Sequence, residues 1–545
     1  MKKIAVLLSA LSLFGAALSA APALADEVPA DATWSQVWFE SGDGTMLHAD
    51  VMLPKDRAEK ERHPVILSIG PYFGSGGFLP PTPTESGPIM RFADLIEEGR
   101  IFQRGYAYVQ VDSRGYGGSG GCNDFGGPGE QMDVKAAVEW AAKQDWSNGK
   151  VGMWGKSYDG WTQVMALAQK PKGLAATVVQ SPLLEAYRGM FMNGVHYDYG
   201  WYATPGLYAG YDLIPPSLND SPPEEFVYPA SGTLTNPHCY AQNLAFTKIY
   251  DRSLAYWQER DIVKAASKST VPTLWSHGFL DANTKADNFL PVYSKLRGPK
   301  RAWFGQYDHV RGNEVEYVGR DGFMDEAMAW FDHFLKGERM IRYPNVEIQD
   351  GDGNWRREAS WPPSDARYFE MPVRNGGYVD QRSTGPEDCC NGLYSFTTPA
   401  PRDIQFSGPP RVDLQFSSPV PNANLIVHVF DVNPKGEARL ITRGAHLLEA
   451  TSGDLQGFEL YPQDWILREG HRFGFVLSGS DEDWFSPLST NATVDVSKAT
   501  VSFPFLNRVR KPNLAGKPAD AMASVPEQTF PAPFIEGAQT KTRWP

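Results

Sequence analysis

The chain has few cysteines and, beyond its first residues, no long hydrophobic run. Its 545 residues include only four cysteines: Cys122, Cys239, Cys389 and Cys390. Four cysteines allow three disulfide pairings, and the sequence does not choose among them. No later segment approaches the ~20 apolar residues that a membrane-spanning helix needs. Cys and His residues do not cluster at zinc-site spacing, so we expect no bound metal.

The chain is also short of positive charge. Its 51 Lys and Arg residues are outnumbered by 64 Asp and Glu residues, which gives a formal net charge of −13 at pH 7. Nucleic acids and anionic lipids attract proteins with a basic surplus, so we expect neither as a partner. No internal repeat or low-complexity tract is present. The oligomeric state stays open.

The amino terminus has the composition of an export signal. Lys2 and Lys3 precede an uncharged apolar stretch at 4–18, and Ala23-Leu-Ala25 has the A-x-A pattern of a cleavage site. A membrane anchor is the alternative, but the apolar stretch is short and ends in small residues. We therefore expect residues 1–25 to be a signal peptide and the protein to be exported, to a periplasm or to the medium.

Short apolar runs alternate with helical patterns from residue 34 to residue 182, and the alternation resumes after residue 260. The predicted strands lie at 64–69, 106–111, 151–154, 271–276 and 301–304. Helical spacing of apolar residues occurs at 131–142 and 324–335. Strands that alternate with helices predict an α/β domain with a mostly parallel sheet.

Two other regions differ from this pattern. Residues 183–260 are rich in aromatic residues and proline, and they are typical of an insertion. After residue 344 the chain has short alternating strands at 411–416, 425–430, 472–477 and 493–496, which indicate a β-sandwich. We therefore predict an α/β domain at 26–182 and 261–343, an insertion at 183–260 and a β-sandwich domain at 344–545.

Two segments have the pattern of a nucleophile elbow. Gly117-Gly-Ser119-Gly-Gly121 matches G-x-S-x-G letter for letter, but it lies among turn residues. An elbow needs a strand before the serine and a helix after it, so that the turn lifts the hydroxyl above the sheet. Gly155-Lys-Ser157-Tyr-Asp-Gly160 has that context, although Asp159 stands where glycine is expected. We predict Ser157 as the nucleophile and Ser119 as a loop residue.

A serine nucleophile needs a histidine base and a carboxylate that orients the histidine. In α/β-hydrolases the chain order is serine, acid, histidine, each after a strand. His309 follows the last predicted strand, whereas His277 precedes the expected acid. Asp281 follows the preceding strand; Asp287 is an alternative, and Asp308 is next to the histidine. We predict Asp281 and His309.

These segments together resemble the cocaine-esterase and X-prolyl dipeptidyl-peptidase family, which includes α-amino-acid ester hydrolases. The family's elbow reads G-x-S-Y-x-G, which accounts for Asp159. The resemblance covers nearly the whole chain after the signal peptide. Further similar segments are Gly70-Pro-Tyr72, the loop at 112–121, the helix end at 331–337 and the jelly-roll segments at 354–356, 361–363, 431–436 and 469–472.

The resemblance implies an α/β-hydrolase core, a helical cap formed by the insertion and a carboxy-terminal jelly roll. It implies that Ser157 attacks an acyl carbonyl while the Tyr72 hydroxyl and the Tyr158 backbone N–H hold the oxyanion. It implies no cofactor. The expected substrate is a small ester or a short X-Pro or α-amino acyl peptide. The alternative is a non-catalytic binding protein with a β-sandwich that binds the ligand and a relic hydrolase fold.

A peptide or amino-ester substrate carries an α-ammonium group, which buried carboxylates near the site would have to bind. The candidate carboxylates are Asp159, Asp198, Asp212, Glu224 and Glu225. The aromatic residues of the insertion either contact the substrate or pack the cap on the core. Ester and peptide substrates both stay open.

Overall fold

The structure is a computed structural model. The structure describes residues 27–73, 87–197, 237–339, 342–382, 391–481, 484–485 and 488–545. The predicted signal peptide and the cysteines at 389 and 390 lie outside the described residues. Within the described ranges, no helix is long and apolar enough to span a membrane.

A ten-stranded sheet forms the first domain. The strands in this part of the chain are β1 (Ala32–Glu40), β2 (Met46–Pro54), β3 (His63–Gly70), β4 (Ala107–Asp112), β5 (Ser147–Lys156), β6 (Leu174–Gln180), β7 (Phe191–Met192), β8 (Val195–His196), β9 (Thr273–Gly278), β10 (Lys300–Gly305), β11 (Val346–Gln349) and β12 (Trp355–Glu358). The sheet order is β1-β2-β4-β3-β5-β6-β9-β10-β11-β12, while β7 and β8 form a separate hairpin. Neighbouring strands from β4 to β11 are parallel, as the βαβ pattern predicts.

Helices cover both faces of this sheet. They are α1 (Ala93–Glu97), α2 (Pro128–Ala142), α3 (Tyr158–Gln169), α4 (Ala186–Met190), α5 (Pro237–Phe246), α6 (Ala255–Gln258), α7 (Val263–Ala266), α8 (Leu290–Tyr293), α9 (Val315–Val318) and α10 (Phe323–Phe331), with a π-helical turn at Asp332–Lys336 after α10. On β3, Val65 and Leu67 belong to the same apolar cluster as α2 and α3, whereas Ile66 belongs to that of α10. Successive strand residues face opposite sides, so the two clusters lie on opposite faces.

The carboxyl ends of the parallel strands meet at one edge of the sheet. There β3 ends at Gly70, β5 at Lys156, β6 at Gln180, β9 at Gly278 and β10 at Gly305. Ligands of open parallel sheets bind outside this edge. The loops that leave these five strands therefore form the place where a site is expected.

The sheet continues past the predicted boundary at residue 344. β11 pairs in parallel with β10, and β12 pairs antiparallel with β11. Trp355 on β12 is buried, and its ring lies 5.6 Å from that of Trp303 on β10. The ten-stranded sheet therefore includes two strands after residue 344, which local patterns do not reveal, because a short strand after a proline has the same local pattern in either domain. The division of the chain at residue 344 stays a prediction.

Two antiparallel sheets form the carboxy-terminal domain. Their strands are β13 (Arg367–Val373), β14 (Gly376–Val379), β15 (Leu393–Phe396), β16 (Ile404–Gly408), β17 (Arg411–Ser417), β18 (Ala423–Val432), β19 (Glu437–Leu448), β20 (Ser452–Glu459), β21 (Gln463–Leu467), β22 (Arg472–Ser478), β23 (Thr493–Phe505) and β24 (Glu527–Thr529). β15, β22, β18, β19 and β24 form one sheet, and the other seven strands form the second. The rings of Phe473 and Phe503 stack between the sheets, with their centroids 4.2 Å apart. A 3₁₀ turn (Asp520–Ser524) and a short helix, α11 (Ala532–Gly537), follow.

The described parts of the insertion contain α4, the β7–β8 hairpin, α5 and α6, and they pack on the core. Tyr187, Phe191 and Tyr197 are buried, so these three aromatic residues support packing. Five further aromatic residues of the insertion lie at 199–211, outside the described residues: Tyr199, Trp201, Tyr202, Tyr208 and Tyr211. A disulfide joins Cys122, in the loop after β4, to Cys239 on α5, with the two Cα atoms 6.2 Å apart.

Candidate active site

Ser157 lies in a strained turn between β5 and α3. Its backbone has φ 65° and ψ −123°, a conformation that residues other than glycine rarely adopt. Two glycines make the turn possible: a Cβ atom at Gly155 would lie 2.4 Å from Cβ of Asp159, and one at Gly160 would lie 2.7 Å from the Gln180 carbonyl oxygen. This is the strand–turn–helix geometry of a nucleophile elbow.

Asp281 and His309 come together in the loops after β9 and β10. His309 Nδ1 lies 2.9 Å from Asp281 Oδ2. The Asp281 carboxylate also accepts hydrogen bonds from the N–H groups of Asn283 and Thr284 and from the Thr284 hydroxyl. Burial by itself raises the pKa of Asp281, but the neighbouring His309 and these donors outweigh it and hold the pKa well below its ordinary value. The carboxylate is therefore an anion beside the imidazole.

The His309 loop is bound to the elbow strand. Lys156, next to Ser157, donates from Nζ to the His309 carbonyl oxygen at 3.2 Å. Gln180 accepts from the Ser157 N–H at its backbone oxygen and from the Gly312 N–H at its side chain. His309 Nε2 is buried and has no hydrogen-bond partner among the described residues. With Nδ1 bound to the carboxylate, Nε2 is the nitrogen left to accept a proton.

The alternative acids and histidine have other partners. Asp287 lies 3.6 Å from the Arg188 guanidinium, and the structure does not bring it to His309. Asp308 accepts from the N–H groups of Ala282 and His309. His277 Nε2 bonds to the Lys285 carbonyl oxygen, and burial lowers the His277 pKa to about 4. His277 is thus a neutral support of the acid loop.

The Ser119 hydroxyl is engaged within its own loop. It donates to the Asp112 carbonyl oxygen at 2.7 Å and accepts from the His48 N–H at 2.9 Å. His48 Nδ1 in turn lies 2.8 Å from the Asp112 carboxylate. Buried polar groups need such partners. These contacts support the interpretation of Ser119 as a loop residue.

The two predicted oxyanion donors lie in the loop after β3 and at the start of α3. Tyr72 follows β3 by two residues and is buried. Tyr158 is the first residue of α3, where backbone N–H groups lack acceptors within the helix and the helix dipole favours negative charge. Its side chain turns elsewhere, because the hydroxyl donates to Glu130 Oε2 at 2.6 Å.

The structure adds one residue that the sequence analysis did not identify. Arg91 donates from Nε to Asp159 Oδ2 at 2.5 Å, and its guanidinium lies 3.5 Å from the centroid of the Tyr72 ring. No motif marks Arg91, which precedes α1 in an irregular segment. Asp159 is therefore occupied by an arginine and is a poor candidate for an α-ammonium partner. The other four candidate carboxylates, at 198, 212, 224 and 225, lie outside the described residues.

Comparison with known proteins identifies the family. A family model described as X-Pro dipeptidyl-peptidase (S15 family) matches residues 43–311, and the model of the X-Pro dipeptidyl-peptidase C-terminal non-catalytic domain matches residues 339–522. A relative from Streptomyces avermitilis, named "Putative Xaa-Pro dipeptidyl-peptidase", is 24% identical over 92% of this chain and 86% of its own length.

Esterases are also among the similar proteins. A Mycobacterium tuberculosis protein named "Putative serine esterase" is 29% identical over 84% of this chain and 91% of its own length. A solved CocE/NonD family hydrolase from Staphylococcus aureus superposes with a TM-score of 0.66 at 16% identity, covering 87% of this chain and 94% of that one. This likeness confirms the predicted fold class, an α/β-hydrolase core followed by a strand-rich domain. The two family models, which together match most of the chain, show that it belongs to the X-Pro dipeptidyl-peptidase (S15) family of serine hydrolases.

Proposed function

We propose that the chain is an exported hydrolase that cleaves X-Pro peptides or esters through Ser157, His309 and Asp281. The observation that carries this proposal is the 2.9 Å contact between His309 Nδ1 and the buried Asp281 carboxylate, in loops bound to the strained elbow of Ser157. A carboxylate that orients an imidazole beside a serine on a strand–helix turn is the arrangement of serine hydrolases.

The proposed reaction passes through an acyl-enzyme. His309 Nε2 removes the proton from the Ser157 hydroxyl as Oγ attacks the carbonyl carbon. The Tyr72 hydroxyl and the Tyr158 N–H donate to the resulting oxyanion. One such donor lowers the activation free energy by roughly 2.7–4 kcal/mol. The protonated imidazole then gives its proton to the leaving group. Water, activated by the same histidine, hydrolyses the acyl-enzyme.

The substrate class rests on the relatives. The Streptomyces avermitilis relative is named as a peptidase and the Mycobacterium tuberculosis relative as an esterase. Both activities transfer an acyl group to serine. We propose rates on Gly-Pro and Ala-Pro p-nitroanilides beside p-nitrophenyl acetate as the discriminating assay. Turnover of the anilides supports peptidase activity. Turnover of the ester alone indicates that the enzyme is an esterase.

Ser157→Ala tests the nucleophile, and Ser119→Ala is the matched control. Ser157→Ala is expected to abolish turnover of every substrate that the wild type cleaves. Ser119→Ala removes a buried loop hydroxyl and is expected to retain activity. Unchanged activity in Ser157→Ala contradicts Ser157 as the nucleophile. A wild type that cleaves none of these substrates and that no fluorophosphonate labels favours a binding protein with a relic fold.

The export proposal rests on the amino-terminal composition alone. The mature protein is expected to begin at Asp26 and to leave the cytoplasm. Amino-terminal sequencing of the protein from fractionated cells checks this. An intact residue 1 in the cytoplasmic fraction contradicts it.

A further inference from the structure

We propose that Arg91 and Asp159 are positioning residues, which hold and polarise the Tyr72 hydroxyl as an oxyanion donor. The inference rests on the proposed function, because it assigns a role within the same site. This role accounts for the aspartate at position 159 of the elbow and for the buried arginine that reaches it from a distant segment.

The contact between Arg91 and Tyr72 is close and buried. The guanidinium carbon lies 3.5 Å from the ring centroid, and both side chains are almost fully buried. A planar guanidinium stacks on an aromatic face and is attracted by its electrons. A cation over the ring favours negative charge on the phenol oxygen, so it strengthens the hydrogen bond that the O–H donates to an oxyanion.

Asp159 fixes the guanidinium in this place. Its Oδ2 accepts from Arg91 Nε at 2.5 Å, and Arg91 Nη2 also donates to the Lys156 carbonyl oxygen at 3.4 Å. Gly70 at the end of β3 makes room for the carboxylate, since a Cβ atom there would lie 1.6 Å from Asp159 Oδ1. The Asp159 carboxylate is thus enclosed by the end of β3, by Arg91 and by the first turn of α3.

This arrangement links the oxyanion donor to the nucleophile. Asp159 lies two residues after Ser157, and Tyr72 lies two residues after Gly70. A buried ion pair contributes little to stability compared with well-packed apolar residues, because both charges lose their hydration. The pair therefore calls for another role, and its contacts supply one: Arg91 stacks on Tyr72 and is bound to Lys156 and Asp159, on either side of Ser157, so the pair holds the tyrosine to the elbow.

A double-mutant cycle tests the inference. Steady-state kcat and KM are measured on p-nitrophenyl acetate for the wild type, Arg91→Met, Tyr72→Phe and the double variant. Arg91→Met is expected to lower kcat roughly 3- to 30-fold with little change in KM, the range that a desolvated cation–π contact supports. In the Tyr72→Phe background the same substitution is expected to change kcat less than about twofold, since the hydroxyl that it acts on is gone.

Two further variants separate positioning from folding. Arg411→Met is the control, because Arg411 also stacks on a tyrosine, 4.1 Å from the Tyr368 centroid, and pairs with Glu459, but it does so on the sandwich. It is expected to leave kcat unchanged. If Arg91→Met does not fold, Asp159→Asn takes its place in the cycle, with the same expected loss of effect in Tyr72→Phe.

Equal effects of Arg91→Met in both backgrounds, with the wild type active and Ser157→Ala inactive, overturn the positioning role and leave the proposed function intact. An inactive wild type that no fluorophosphonate labels overturns both. A decrease in kcat caused by Arg91→Met that largely disappears in the Tyr72→Phe background supports the inference.

Discussion

At the scale of single residues, the contacts of the Asp281 carboxylate give the most direct prediction. It is fully buried, and three donors besides His309 bind it. Asp281→Asn keeps the size of the side chain but removes the charge that selects the Nδ1–H form of the imidazole. We expect kcat to fall by about 10⁴-fold, as in other serine hydrolase triads, with the fold retained. Asp287→Asn, in the same loop, is the control and is expected to change kcat little; similar losses in both variants would contradict the assignment.

Glu130 gives a pH-dependent prediction at the same scale. Burial, assisted by the nearby Asp124, raises its pKa from 4.5 to about 8. Its contribution to stability is therefore complete below the unfolded-state value of 4.5 and is lost as pH rises through about 8. Glu130→Gln is neutral at every pH and keeps an oxygen for the Tyr158 hydroxyl.

We therefore expect the melting temperature of Glu130→Gln to rise relative to that of the wild type as pH increases from 4.5 to about 8. Thermal unfolding of both proteins across this range measures the difference. Because all other groups titrate in both proteins, the difference isolates Glu130. Two parallel curves would show that the carboxyl is not buried as described.

At the scale of elements, the disulfide fastens the described part of the cap to the core. Cys122 and Cys239 are 117 residues apart, and beside them Asn243 Nδ2 donates to the Asn123 carbonyl oxygen at 2.9 Å. Closing so long a loop stabilises the fold by about 5 kcal/mol in the chain-entropy model. Loss of the disulfide should release α5 before the rest of the domain unfolds.

The double substitution Cys122→Ser/Cys239→Ser tests this fastening. We expect faster hydrogen exchange at Pro237–Phe246 than in the wild type and a lower unfolding midpoint in guanidinium chloride. Dithiothreitol should move the wild type to the midpoint of the variant and leave the variant unchanged. A wild type that does not respond to reductant would exclude a stabilising disulfide.

Local patterns in the sequence predicted the elements next to the site but not their distant partners. β5 and α3 follow from apolar spacing and from the turn at Ser157, which involves only neighbouring residues. The parallel pairing of β11 with β10 joins segments more than 40 residues apart, so local patterns do not show that β11 extends the first sheet. Arg91 was missed for the same reason: its partner Asp159 lies 68 residues away.

At the scale of the whole molecule, a buried ion pair joins the two domains. Arg356 on β12 donates to both oxygens of Asp464 on β21, at 2.9 and 2.5 Å, and both side chains are almost fully buried. Asp464→Ala removes the bidentate anion and leaves the buried guanidinium with Glu358 alone, which pairs with its Nε at 3.0 Å. We expect the free energy of unfolding to fall by roughly 3–5 kcal/mol.

Glu459→Gln provides the control for this prediction, because the Arg411–Glu459 pair is about half exposed. Its removal should cost less than about 1 kcal/mol. Guanidinium chloride unfolding, followed by tryptophan fluorescence, compares both variants with the wild type. Equal small effects would indicate that water reaches the Arg356–Asp464 contact and that the domains are less tightly joined.

For the molecule as a whole, the central claim is that Ser157 is the nucleophile of a hydrolase. Labelling with a fluorophosphonate, followed by peptide mapping in a mass spectrometer, tests this most directly. We predict a single adduct on Ser157, absent from Ser157→Ala and strongly reduced in His309→Ala. An adduct on Ser119, or an active wild type that carries no adduct on Ser157, would contradict the account.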